Sequence, residues 1–290
     1  MIQATVDRVD DPRLDPFRNL KGQSRRNDDT FVAESEIVLD RLFESGFVIR
    51  SILITPARAQ RLMEMLSAKT VDHDDSETAL FVAPQSVIDE VVGYPLHRGV
   101  VAVAERPKLR SPAELLGFAR TVVVLENVMD PENVGSVFRH AAGFGVDAVI
   151  LHGHTGDPLY RKTIRTSMGW TLTIPFARTA VDQMVTTLLF DAGFCTVALT
   201  PARSADTIAG VFASFDQSAR VALLLGAEGP GLLDSTLASS DYRARIPLAD
   251  GVDSLNIATA AAIALYALVE AFPERLRQQR APRGSGLPRN

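Results

Sequence analysis

The 290-residue chain has one cysteine, Cys195. No intrachain disulfide can form, which excludes a disulfide-stapled secreted scaffold and fits a reducing cytosol. Cys195 lies in the apolar run 194–199 and reads as a small buried hydrophobe, not a nucleophile. No apolar run is long enough for a bilayer. The longest, residues 255–269, is interrupted by Asn256 and Thr259 and is shorter than the roughly 20 residues a spanning helix needs. It reads as a buried helix, and no membrane partner is expected. The opening MIQATVDRVD lacks an apolar signal region, so a cytoplasmic location is expected. Positive charge is also scarce: 30 basic against 35 acidic residues give a net charge of −5. That balance counts against a nucleic-acid partner, whose phosphates are held by cations. Two local clusters partly answer it. Residues 275–290 carry five arginines and no acid, and Arg161, Lys162 and Arg165 stand close together. Internal repeats and low-complexity tracts are missing too.

What is present suits two domains with sizeable cores, since hydrophobic residues make up 46% of the chain. Residues 1–30 are polar and read as a loose arm or an early helix. Residues 31–105 alternate strand-like segments (47–55, 79–82, 99–104) with helical ones (36–44, 58–66, 86–91), a compact α/β unit. Residues 106–120 read as a linker, opening on the basic RPKLRS. A second α/β domain spans 121–273, with strands expected at 121–126, 148–151, 194–199, 221–225 and 242–246. Most are continuous apolar runs, as in a parallel sheet covered on both faces. Residues 274–290 form a basic tail.

Three blocks of the second domain carry candidate chemistry. The first, NVMDPENVGSVFRHAAGFG at 127–145, follows a strand and opens an amphipathic helix with apolar residues at 134, 137, 138, 141 and 142. Asn133 stands where an N-cap belongs. Gly135 lies in the first turn, and Arg139 lies off the apolar stripe. The second, LLLGAEGPGL at 223–232, runs a buried strand into a glycine-rich turn bearing Glu228, at the strand end where open α/β sheets bind ligands. Its glycine order, G-x-x-G-x-G, does not match a dinucleotide loop. The third, RIPLADGVDSLNIATAAAIALYA at 245–267, ends a strand and starts an alanine-rich helix, with Asp253 or Ser254 as cap and Asn256 in the first turn.

In order and spacing these blocks resemble the three motifs of the SpoU (TrmH-like) RNA ribose 2′-O-methyltransferases of the SPOUT superfamily: N-x-G-x-x-x-R at Asn133, Gly135 and Arg139, G-A-E-G at 226–229, and I-P with S-L-N at 246–247 and 254–256. Residues 31–105 resemble, less specifically, that family's ribosomal-protein-like RNA-binding domain. The resemblance implies a parallel-sheet domain with a C-terminal trefoil knot, which no periodicity argument would reach. It implies S-adenosylmethionine as cofactor, no metal, structured RNA (rRNA or tRNA) as substrate, and a homodimer through the second domain. Leu199, Thr200, Gly226, Glu228, Gly229, Ile246, Leu255 and Asn256 would form the cofactor site. Gly226 would let the backbone approach it closely. Arg139, Asn133, Glu228, Ser254 and Asn256 would serve catalysis, with Arg139 stabilising the developing alkoxide instead of acting as a base. The 31–105 domain and the tail would grip RNA. A noncatalytic RNA-binding or ribosome-assembly protein, a nicotinamide-dependent dehydrogenase and a base methylase are the competing readings.

Overall fold

A computed structural model describes residues 2–20, 29–68, 78–96 and 99–275. They divide into two units, one formed by Met1–Pro107 with Leu159–Thr173, the other by Lys108–Pro158 with Ile174–Asn290.

The first unit contains β1 (Ile2–Thr5), β2 (Thr30–Glu34), α1 (Glu36–Ser45), β3 (Ile49–Ile54), α2 (Pro56–Ala68), β4 (Ala79–Val82), α3 (Gln85–Val92) and β5 (Val100–Glu105). Its mixed sheet has the order β1-β4-β3-β5-β2. Residues 2–20 of the stretch expected as a loose arm or an early helix are packed into the unit. β1 pairs in parallel with β4, and a 3-10 helix at Pro12–Phe17 turns Leu14 and Phe17 into the core beside Val6 and Leu20. Those four apolar residues are too sparse for a periodic pattern, which is why composition alone suggested an arm.

The inserted segment 159–173 completes this unit with α6 (Arg161–Thr166) and a 3-10 turn at Trp170–Leu172. α6 lies against β2. The Arg161 guanidinium donates to the Glu34 carboxylate and the Tyr94 hydroxyl, both at 2.7 Å. Tyr94 in turn donates to Glu34. Burial, reinforced by Glu34, holds the Tyr94 phenol well above its ordinary pKa. Arg161 is therefore spent inside the unit and leaves the basic cluster seen in the sequence.

The second unit contains α4 (Pro112–Phe118), β6 (Thr121–Glu126), α5 (Pro131–Gly143), β7 (Ala148–His152), β8 (Phe176–Arg178), α7 (Val185–Asp191), β9 (Phe194–Leu199), β10 (Asp206–Thr207), α8 (Ile208–Ala213), β11 (Arg220–Gly226), α9 (Asp234–Ser239), β12 (Tyr242–Arg245) and α10 (Ile257–Ala271). Its seven strands lie in the order β10-β12-β9-β11-β6-β7-β8, every neighbouring pair parallel. β6 and β7 are buried from end to end, as their unbroken apolar runs require.

Part of the stretch read as a linker is helical. Ser111 and Glu114 form a reciprocal capping box, and Leu115 and Leu116 of α4 enter the sheet's core. Two arginines act as internal clasps. Arg220 donates to the carbonyls of Leu116, Ala119 and Ala192, where α4 and α7 end, and stacks over Phe194 at 4.2 Å. Arg275, counted with the basic tail, donates to Thr121 and Ala219 and lies over the Phe272 ring. Burial pushes its pKa down to about 10. The remainder of the tail, 276–290, lies outside the described residues.

Both functional helices start differently from expectation. α5 is capped by Asp130, whose side chain accepts the Glu132 N–H, with Pro131 at the first position. Asn133 is thus two residues inside the helix. α10 is capped by Asn256 itself, whose carbonyl oxygen accepts the N–H groups of Ala258 and Thr259. Asp253 and Ser254 precede the cap.

Candidate active site

At the carboxyl ends of β9, β11 and β12, three loops border a cleft of about 570 Å³. Small-molecule sites commonly span roughly 300–1,000 Å³. Leu199, Thr200, Gly226, Glu228, Gly229, Ile246, Leu255 and Asn256, the residues expected to hold a cofactor, all line it, and so does Ser254. Leu225, Leu248 and Ile257 add apolar wall. The shape suits an adenosine moiety: apolar sides for a base, and a main-chain turn at 226–229 for polar contacts.

The turn after β11 closes on itself. The Gly231 N–H donates to the Ala227 carbonyl at 2.9 Å. A Cβ on Gly226 would stand 2.1 Å from both the Gly231 carbonyl carbon and the Leu232 nitrogen. The glycine is thus demanded by the chain's own backbone. Sequence reasoning had assigned it to ligand approach, because a strand-end glycine looks the same in either case.

Asn256 ties the three blocks together. Its Nδ2 donates to Asn133 Oδ1 at 3.0 Å and to Glu228 Oε1 at 2.7 Å, while its Oδ1 caps α10. One side chain therefore links the first turn of α5, the glycine-rich turn and the start of α10. Asn256→Asp separates these tasks. The cap survives, but a second carboxylate then faces Glu228 and the Asn133 carbonyl without a donor between them. The expected result is at least a tenfold loss of S-adenosylmethionine affinity by calorimetry, with a melting temperature closer to wild type than that of Asn256→Ala, since cap removal costs about 1 kcal/mol. Equal affinity in Asn256→Asp and wild type would count against the bridging role.

Two of the five candidate catalytic residues stand apart from this node. Ser254 is exposed at the cleft rim. Arg139 is exposed on α5, six residues beyond Asn133, and does not line the cleft. Among the described residues its guanidinium has no hydrogen-bond or ion-pair partner, so it is open to a ligand.

Sequence reasoning missed Glu126. It ends β6 fully buried. Its carboxylate accepts the Leu233 N–H and the Thr236 hydroxyl, both at 2.6 Å, pinning the downstream end of the glycine-rich turn. His152 Nε2 lies 3.9 Å away. Burial lowers the His152 pKa, against the opposing pull of Glu126. The one available signal was an acid closing an otherwise apolar strand. Cys195 is part-exposed, not buried, and desolvation raises its thiol pKa, the reverse of an activated nucleophile. Among the described residues no three His, Cys, Asp or Glu side chains gather as a metal site, and no helix is long and apolar enough to cross a membrane.

The profile of the SpoU rRNA methylase family matches residues 120–266, a span holding the entire cleft. The chain belongs to the SpoU family. It is accordingly an RNA methyltransferase of the SpoU/TrmH type. An uncharacterised tRNA/rRNA methyltransferase of Mycobacterium tuberculosis is 42% identical over 262 residues, 89% of this chain and 88% of the relative. The Bacillus subtilis 23S rRNA (guanosine(2553)-2′-O)-methyltransferase RlmP is 27% identical, over 85% of this chain and 91% of its own. Among solved structures, the S-adenosylmethionine-bound rRNA methyltransferase of Sinorhizobium meliloti superposes with a TM-score of 0.76 at 28% identity, covering 92% of this chain and 98% of that one.

Proposed function

We propose that this SpoU-family protein methylates a ribose 2′-hydroxyl in rRNA or tRNA, with S-adenosylmethionine bound in the cleft at the ends of β9, β11 and β12. The observation that carries the reading is the Asn256 node, which fastens Asn133 and Glu228 to the wall of an adenosine-sized cleft. The 2′-O-methyltransferase name of RlmP and the cofactor-bound Sinorhizobium structure support it.

When bound, the cofactor supplies a methyl group already activated by its sulfonium. The chain's task is to hold, align and exclude water. Leu199, Ile246 and Leu255 would flank the base, and the backbone at 226–229 would meet its polar edges. Asn133 is held at a fixed angle by Asn256 and positions the ribose. Glu228 keeps Asn256 in place. Ser254 shapes the rim. Arg139, on the exposed side of α5, stabilises the 2′-oxygen as its proton passes to solvent water and clamps the adjoining phosphate.

Further parts of the reading rest on the same unit. The strand order, with β9 between β11 and β12, and α10 packed on α5 favour the trefoil knot that the resemblance implies. Exposed Ile263 and Tyr266 on α10 suit a homodimer contact. The first unit serves as the RNA-gripping domain, and the single thiol suits the cytoplasm.

The test is transfer of labelled methyl to unmodified rRNA and tRNA, followed by alkaline hydrolysis. A 2′-O-methyl group protects the neighbouring phosphodiester, so label is expected in alkali-resistant dinucleotides. Label confined to mononucleotides would move the reaction to a base. No incorporation into either RNA would contradict the proposal.

A further inference from the structure

The first unit holds a second, smaller cleft, about 330 Å³, at the amino end of α1. That end is uncapped. Ser35 occupies the N-cap position at φ 84° and ψ 152°, and its side chain makes no capping hydrogen bond. The first-turn N–H groups therefore keep their hydrogen-bonding capacity and the positive end of the helix dipole. Ser35 is 8% exposed, lines the cleft, and among the described residues its hydroxyl has no partner.

Strain marks the same place. Of the four non-glycine residues with positive φ among the described residues, Ser35 and Met168 (φ 55°) both line this cleft. Such conformations cost about 1–3 kcal/mol and concentrate at ligand sites. Charge supplies the third observation. Arg165 lines the cleft, is exposed, and has no ion-pair or hydrogen-bond partner among the described residues. Glu34 also lines it, but its carboxylate is neutralised by Arg161. Glu36, in the first turn of α1, is likewise paired with Arg58 and Arg61, which leaves the Arg165 charge to favour an anion.

We propose that this cleft binds a phosphodiester of the RNA substrate. The anion rests on the first-turn N–H groups of α1, the Ser35 hydroxyl and the Arg165 guanidinium. Leu96 and Met168 give the adjoining nucleoside an apolar wall. The proposal rests on the RNA-methyltransferase reading, and places one gripping contact of that enzyme on its first unit.

The test is titration of deproteinised rRNA into the full chain across a salt series, with S-adenosylmethionine affinity measured separately. Arg165→Ala removes an exposed cation without disturbing the core. It is expected to weaken rRNA binding three- to tenfold near 0.1 M salt and to reduce the salt slope by about one. Ser35→Asp sets a carboxylate where the phosphate would lie and is expected to weaken binding further. Cofactor affinity should stay unchanged in both. Arg8→Ala, at a fully exposed ion pair of the same unit, controls for generic charge. Unchanged affinity and slope in Arg165→Ala, or an equal loss in Arg8→Ala, would overturn the site. If Ser35→Asp fails to fold, Arg165→Ala decides alone. A wild-type chain that binds rRNA but no cofactor would defeat the methyl-transfer reading and leave this site standing.

Discussion

Arg139→Ala is expected to lower methyl transfer by roughly 100-fold or more while S-adenosylmethionine affinity stays within about twofold of wild type. The size follows from removing a cationic donor that meets charge developing in the transition state, a loss that costs about 2.7–4 kcal/mol for a single oxyanion donor. The selectivity follows from position. Arg139 is exposed, lies outside the cleft lining, and has no partner among the described residues. Its loss therefore strands no buried group and leaves the cofactor wall intact. Arg139→Lys keeps the charge but not the planar two-pronged donor, and should recover only a small part of the rate. Single-turnover kinetics paired with calorimetry separates the effects. Near-normal turnover in Arg139→Ala would remove the residue from the chemistry, and a matching loss of cofactor affinity would recast it as part of the pocket.

Gly226→Ala is expected to cost both stability and cofactor binding. A methyl group 2.1 Å from the backbone of Gly231 and Leu232 cannot be absorbed by a rotamer change, because both obstacles are main chain. The turn must open, and with it one wall of the cleft. Overpacking of this kind costs typically about 1–3 kcal/mol. The expected outcome is a melting temperature lower by several degrees and a fall in S-adenosylmethionine affinity of about 30-fold or more. Gly143→Ala is the matched control. A Cβ there meets nothing within 4 Å, so stability should hold or rise slightly. A Gly226→Ala protein with native melting and native affinity would show that the closed turn does not shape the pocket.

Much of the second unit was legible because its strands are buried on both faces. β6 and β9 coincide with the apolar runs that mark them, at Thr121–Glu126 and Phe194–Leu199. β8 and β10, three and two residues long, are too short to show any period, and the seven-residue α4 hides behind a basic, proline-containing approach. Charge misled for a different reason. Arg161, Arg220 and Arg275 look like free cations in the sequence, yet each is held internally by a carboxylate or by backbone carbonyls. Such partners lie up to 127 residues away, and no local pattern announces them. At the site, the sequence could name the residues of the cleft but not their junction. Asn256 was assigned to the first turn of a helix, whereas it caps that helix with one atom and bridges Asn133 and Glu228 with another. Glu126 shows in the sequence only as an acid closing an apolar strand, because its contacts are made with distant residues 233 and 236.

A crystal of the full chain grown with S-adenosylmethionine tests the central claim most directly. The account predicts adenosine density between the loops at 199–201, 226–231 and 246–256, with the methyl group turned toward Asn133. Density elsewhere on the chain, or a filled cleft whose methyl group points away from α5, would contradict it.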